Sequence, residues 1–157
     1  MNNPDKESAY RLAQQDIESI LDNFVDPIVV MATVSAVLKV RCPHFYWVGF
    51  YRMLEGRLLI GPYQGTPGCI EIMPDRGVCG ACASRRQTIV VENVEQFPGH
   101  IACDSQSRSE IVVPVFDQSD SLRAVLDVDS TQKGAFDGTD QAALEGIARW
   151  MKNCVRW

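Results

Sequence analysis

Six cysteines stand at positions 42, 69, 79, 82, 103 and 154, and two of them occupy places where a thiol could do chemistry. Cys103 lies in Gly99-His100-Ile101-Ala102-Cys103-Asp104-Ser105, a polar loop just before a strand-like run. Loops held by a rigid sheet are where accessible, reactive thiolates sit. The alternative for Cys103 is a buried structural thiol, because free cysteine is among the most buried residue types. Cys79 follows Gly77-Val78 at the start of a short helix, where unsatisfied N–H groups and the positive end of the dipole favour thiolate. It could therefore be a nucleophile itself. Cys79 and Cys82 form a C-x-x-C without a surrounding βαβ pattern, so Cys82 reads as a helix residue facing the core. No second C-x-x-C is present and His44 and His100 do not lie at finger spacing, so no metal site is expected.

The acids supply possible partners for a thiol. In Leu122 to Asp129, strand alternation sends Leu122, Ala124, Leu126 and Val128 to one face and Asp127 and Asp129 to the other. The two carboxylates are then about 7 Å apart along the strand. Glu110 opens another strand with the same alternation. Each acid alone reads as a solvated strand end. Converging on one cleft, they would receive an ammonium group, or would donate a proton to a leaving oxygen through a raised pKa. Trp47, Gly49 and Tyr51 share one strand face, with Gly49 leaving a gap between two rings. That is a wall for a small apolar group or ordinary sheet packing.

These residues need a scaffold. Apolar positions recur at helical spacing from Ser8 to Phe24 (Tyr10, Ala13, Ile17, Ile20, Leu21, Phe24), and Asp26-Pro27 opens a second helix over Ile28 to Leu38. The run from Phe45 to Tyr51 and the run from Arg57 to Ile60 form a hairpin around Glu55-Gly56. Ile89 to Val91, Ile111 to Val113 and Arg123 to Val128 are further strands, with a short helix from Cys79 to Arg86 between the first hairpin and the later strands. Asp137 is the N-cap of a closing helix that presents Ala143, Leu144, Ile147, Ala148 and Met151 on one face. Strands enclosed by terminal helices indicate α+β, with a central antiparallel sheet and helices packed mainly on one face.

At 157 residues the chain is expected to be one domain, 1–157, with its own core. No apolar run is long enough for a bilayer, and the acid-containing N-terminus lacks a secretory h-region, so the expected compartment is the cytoplasm. There the cysteines are expected to be free thiols, redox residues or metal ligands rather than a permanent disulfide framework. A formal charge of −5 and the absence of a basic stretch argue against nucleic acid.

The stretch from Phe97 to Ser105, continued by Ser107-Arg108-Ser109-Glu110-Ile111-Val112-Val113-Pro114, resembles the free methionine-(R)-sulfoxide reductases, which are built on the GAF fold. The likeness extends through Trp47 to Tyr51, Gly61 to Gly65, Gly77 to Gly80 and Val125 to Ser130, so it spans roughly residues 8 to 152. The Asp117 to Ser121 turn departs from the Gly/Lys-containing hairpin more usual in that family. The resemblance implies redox cysteines at Cys69, Cys79 and Cys103, acidic substrate positions at Glu110, Asp127 and Asp129, and an aromatic pocket at Trp47 and Tyr51. It implies reduction of free methionine-(R)-sulfoxide through a sulfenic acid and an intramolecular disulfide, a thioredoxin-like reductant, no cofactor, and a homodimer. By the motif Cys103 attacks, and by the helix-dipole argument Cys79 does. Asp129 with Asp127 would stabilise or protonate the departing oxygen. The rivals are a ligand- or redox-sensing GAF module and a zinc-binding adaptor.

Overall fold

The structure is a computed structural model that describes residues 3–101 and 103–157, so Ala102 of the loop motif and the first two residues of the N-terminal segment lie outside the described residues. In chain order the elements are α1 (Asn3–Leu21), α2 (Pro27–Arg41), β1 (Trp47–Leu54), β2 (Arg57–Gln64), β3 (Glu71–Ile72), α3 (Gly77–Arg85), β4 (Ile89–Val91), β5 (Ser109–Phe116), β6 (Leu122–Ser130) and α4 (Gly138–Cys154). The strands form one antiparallel sheet in the order β3-β2-β1-β6-β5-β4. The expected α+β architecture with a central antiparallel sheet is therefore present. No helix among the described residues is long and apolar enough to cross a membrane.

Local chemistry explains most boundaries. Asp26 caps α2 by accepting from the N–H groups of Ile28 and Val29 at 2.9 and 3.0 Å, with Pro27 in the first turn. Glu55 and Gly56 both have positive φ, 51° and 80°, which joins β1 to β2 by a two-residue turn. Asp137 and Asp140 form a reciprocal capping box at the start of α4.

Some sequence expectations change. The first helix ends at Leu21 rather than Phe24, because Asp22 adopts a left-handed φ of 42° and the Phe24 N–H turns back to the Leu21 carbonyl. Tyr10, Ala13, Ile17 and Leu21 are buried, whereas Ile20 and Phe24 are exposed. The first sheet strand starts at Trp47, because the Phe45 N–H closes a turn onto the Cys42 carbonyl. Leu122 does not join Ala124, Leu126 and Val128, since a register shift at Val115/Phe116 turns it to the opposite side. The two-residue β3 and a single 3-10 turn at Val94–Gln96 carry too little pattern to be read from sequence.

The sheet separates two cores. Val48 and Phe50 of β1, Ile111, Val113 and Val115 of β5, and Ala124, Leu126 and Val128 of β6 pack under α1, α2 and α4. The alternating residues Trp47, Tyr51, Val112 and Val125 face the other way and meet Val78, Cys79, Cys82 and Ala83 of α3. The short α3 and the connection between β4 and β5 cover that second face in part, and the rest stays open as a cleft.

Gly49 is not a gap between two rings. A Cβ there would lie 2.2 Å from Tyr63 Cβ and 2.8 Å from the Trp47 ring, so the glycine admits the neighbouring strand. Tyr63 then stacks on Trp47 with ring centroids 5.2 Å apart, and Trp47 stacks on Tyr51 at 6.0 Å. Gly49→Ala is expected to destabilise the protein by roughly 1–3 kcal/mol through forced displacement of this stack. Urea unfolding followed by tryptophan fluorescence measures the effect.

Candidate active site

Strand register assembles the acids. Trp47 of β1 pairs with Asp129 of β6, Gly49 with Asp127, and Asp129 in turn pairs with Glu110 of β5. Three carboxyl side chains and one indole thus share a face across adjacent strands. They line a cleft of about 510 Å³, mouth included, together with Tyr51, Cys79, Cys103 and the start of α3. Of the sequence-derived candidates, only Cys69 does not line it.

The second wall comes from the long connection between β4 and β5. It places His100, Ile101, Cys103, Asp104 and Ser107 on the cleft. The Gly77 N–H donates to the Gly99 carbonyl at 3.2 Å, which ties this connection to the first residue of α3. Gly77 has a φ of +63° and sits against Ile101, a conformation that side chains rarely adopt.

Cys69 and Cys103 are joined by a disulfide with their Cα atoms 5.2 Å apart. Cys79 is a free, buried thiol whose Sγ lies 4.0 Å from Glu110 Oε1. The surroundings of Cys79 act against the helix-dipole effect. Burial, and then the neighbouring Asp127 and Glu110, push its thiol well above the ordinary range, so the thiolate is disfavoured despite the helix start. Cys82 is buried and turned to the Val112 carbonyl, as expected for a core residue.

Among the described residues, none of the three acids forms an ion pair with a cation. Burial pushes Glu110 upward, aided by the charges of Asp127 and Asp129. Asp127 is raised by burial and by Asp129, and its Oδ1 is buried without a hydrogen-bonding partner among the described residues. Asp129 is pushed by burial to about 6, against the opposing hydrogen bond from the Ser107 hydroxyl. Buried carboxyl groups without a countercharge retain protons until a cation arrives.

Three polar residues that the sequence reading did not single out organise this site. Asp104 accepts from the Thr66 and Tyr46 hydroxyls and, at 2.7 Å, from the Gln106 N–H, and these bonds hold it below the usual carboxylate range. The Thr66 carbonyl in turn accepts from Trp47 Nε1 at 2.9 Å. The loop bearing Cys69 and the loop bearing Cys103 are therefore fastened both to each other and to the aromatic wall. Ser107 is the third, fixed on Asp129. Asp104 adjoins Cys103 in the chain, which was the one available signal; Ser107 and Thr66 offered none beyond being short polar loop residues.

The start of α3 is the remaining wall. Arg76 occupies the N-cap position with no side-chain bond to the helix, so no side chain caps the N–H groups of Val78 and Cys79. Arg76, Gly77 and Val78 all line the cleft, opposite the acids in charge preference.

The GAF domain family model matches residues 15–152. The chain belongs to the GAF domain family. Among its GAF relatives, the free methionine-R-sulfoxide reductase of Escherichia coli is 36% identical over 96% of this chain and 90% of its own length. The enzyme of the same name from Saccharomyces cerevisiae is 33% identical over 98% of this chain and 90% of its own. A structure of the Neisseria meningitidis free methionine-R-sulfoxide reductase in complex with its substrate superposes with a TM-score of 0.89 at 39% identity, covering 94% of this chain and 88% of that one.

The buried acids carry a stability cost that pH exposes. Asp129 moves from 3.8 to about 6 on folding, so its neutral form stabilises the protein below pH 4 and that stability is lost as pH rises through 6. Asp129→Asn, which preserves the acceptor for Ser107, is expected to stabilise the protein by roughly 2–3 kcal/mol at pH 8 and very little at pH 4. Chemical denaturation at the two pH values measures it, and equal effects at both would contradict the burial argument.

Proposed function

We propose that this chain reduces free methionine-(R)-sulfoxide, with Cys103 as nucleophile, Cys69 as resolving thiol and a thioredoxin-like protein in the cytoplasm as electron donor. The observation that carries this reading is the Cys69–Cys103 disulfide at the rim of a cleft whose floor is buried acid that forms no ion pair among the described residues. The names of the E. coli, yeast and N. meningitidis relatives support the substrate.

The two charged ends of a free amino acid match the two walls. Its ammonium supplies the missing cation for Glu110, Asp127 and the unpartnered Asp127 Oδ1, while its carboxylate meets the Val78 and Cys79 N–H groups beside Arg76. The S-methyl group rests on Trp47 and Tyr51. A methionine sulfoxide within a polypeptide lacks both charges and leaves the acids buried and unpaired, which is a strong basis for exclusion.

Reaction starts from reduced Cys103. Its thiolate attacks the sulfoxide sulfur while the sulfoxide oxygen takes a proton from Asp129, whose pKa of about 6 keeps part of it protonated near neutrality; the protonated oxygen then passes to Cys103 Sγ as the transient S–S bond breaks and its electron pair leaves with methionine. The net change converts thiol and sulfoxide to sulfenic acid and thioether. The Cys69 thiol then condenses with the Cys103 sulfenic acid, releasing water and forming the observed bond. Cys79 is disfavoured as the attacking group because its thiol is held neutral between carboxyl groups.

The resemblance also implies a homodimer, for which the exposed apolar side chains Ile20, Phe24, Ile28 and Val29 around the α1–α2 turn provide a surface.

Two measurements test the chemistry. A Cys69→Ser/Cys79→Ser variant, given the R epimer once, should release about one methionine per protein and carry a dimedone-reactive sulfenic acid on Cys103 by mass spectrometry. Methionine release without modification of Cys103 rejects the assignment. Asp129→Asn should lower the single-turnover rate by about 10²–10⁴. It should also flatten the fall in rate that the parent shows as pH rises past about 6.

A further inference from the structure

The two sulfurs of the disulfide face different surroundings. Cys103 lines the substrate cleft and Cys69 does not, although both residues are half-buried. Beyond Cys69 the chain runs directly into Ile70, 72% exposed, and, after β3, into Met73, 53% exposed, two of nine large apolar side chains left in solvent among the described residues. The Ile70 carbonyl accepts from the Ile60 N–H at 3.0 Å, and Glu71 and Ile72 pair with Leu59 and Leu58. One edge of β3 is thus bonded to β2, and its other edge is the end of the sheet. A free strand edge beside exposed apolar side chains is a surface on which another protein's backbone can add hydrogen bonds.

We propose that Ile70, Met73 and the outer edge of β3 (Glu71–Ile72) form the docking face for a protein dithiol, which attacks Sγ of Cys69 rather than Sγ of Cys103. The identity of the occupant rests on the reductase reading above, because a surface adjoining one sulfur of a disulfide that must be reopened calls for a protein that brings two thiols to it. The direction of attack has a chemical consequence. The reductant thiolate forms a bond to Cys69 Sγ, the Cys69–Cys103 bond breaks, and its electron pair stays on Cys103, which leaves as the thiolate inside the cleft. The reductant's second thiol then attacks its own sulfur in the mixed disulfide and releases Cys69. The reductant ends as a disulfide and this protein has gained two electrons and two protons. Cys103 is regenerated in the state and place required for the next sulfoxide, while the bulky partner stays outside the substrate cleft. Attack on Cys103 would instead require the partner to enter a space lined by Asp104, Ser107 and Asp129.

The test uses full-length protein oxidised to the Cys69–Cys103 disulfide with diamide, so that its outcome does not depend on sulfoxide turnover. A thioredoxin whose second active-site cysteine is replaced by serine is added, and the trapped complex is mapped by peptide mass spectrometry. Linkage to Cys69 is the expected result; linkage to Cys103, or no mixed disulfide, overturns the proposal. In parallel, Ile70→Asp/Met73→Asp should slow disulfide reduction by intact thioredoxin at least tenfold and leave reduction by dithiothreitol within twofold of the parent. Equal slowing with both reductants, or no slowing with thioredoxin, overturns the docking face. Single-turnover sulfoxide reduction by the prereduced double variant should stay within twofold of the parent. Failure of both parent and variant there counts against the reductase reading and leaves the two sulfur-mapping outcomes decisive for the docking face.

Discussion

The register between β1, β6 and β5 is the constraint on which the site depends. Because side chains alternate with a period of two, the same pairing that puts Val48, Leu126, Val128, Ile111 and Val113 beneath the helices puts Trp47, Asp127, Asp129 and Glu110 on the opposite face. A slip of one residue would drive three carboxyl groups into the larger core and expose its aliphatic residues to the cleft. The helix-covered core therefore holds the active face in place without touching it, and the cost of misregister is paid in hydrophobic area as well as in buried charge.

Two groups of buried acid in this protein illustrate opposite uses of the same chemistry. Asp140 at the start of α4 is fully buried, yet hydrogen bonds from His44, Lys6 and Tyr10 outweigh its desolvation and hold it at about 2. It binds α1 to α4 through Lys6, itself buried and also bonded to the Ala135 carbonyl. Glu110 and Asp127 are also buried but form no ion pair among the described residues, so burial raises their pKa values where the partners of Asp140 lower its own.

The cysteines divide in the same way. Cys42 is pushed by burial to about 12, and burial likewise raises Cys79 and Cys82, so these thiols are chemically quiet for want of a stable thiolate. Cys69 and Cys103 sit on loops fastened through Thr66, Asp104 and Trp47, near enough to bond and partly open to solvent. Disulfide formation here follows placement on tethered loops rather than cysteine number.

By itself the sequence determined the α+β layout, the Asp26 and Asp137 helix starts, the Glu55-Gly56 turn and the alternation that separates Asp127 and Asp129 from Leu126 and Val128, because each is encoded within a few neighbouring residues. The motif around Cys103 also pointed to the acids and rings that line the cleft. What only the tertiary structure decided concerns residues distant in the chain: that Cys69 rather than Cys79 bonds Cys103, that Tyr63 fills the space beside Gly49, that Ser107 and Asp104 secure the loops, and that Cys79 lies between carboxyl groups which cancel the benefit of its helix start. Helix dipoles and strand alternation act over one or two turns and can be read locally. Desolvation and the field of neighbouring charges depend on which strands lie side by side, and that is fixed only when the sheet closes.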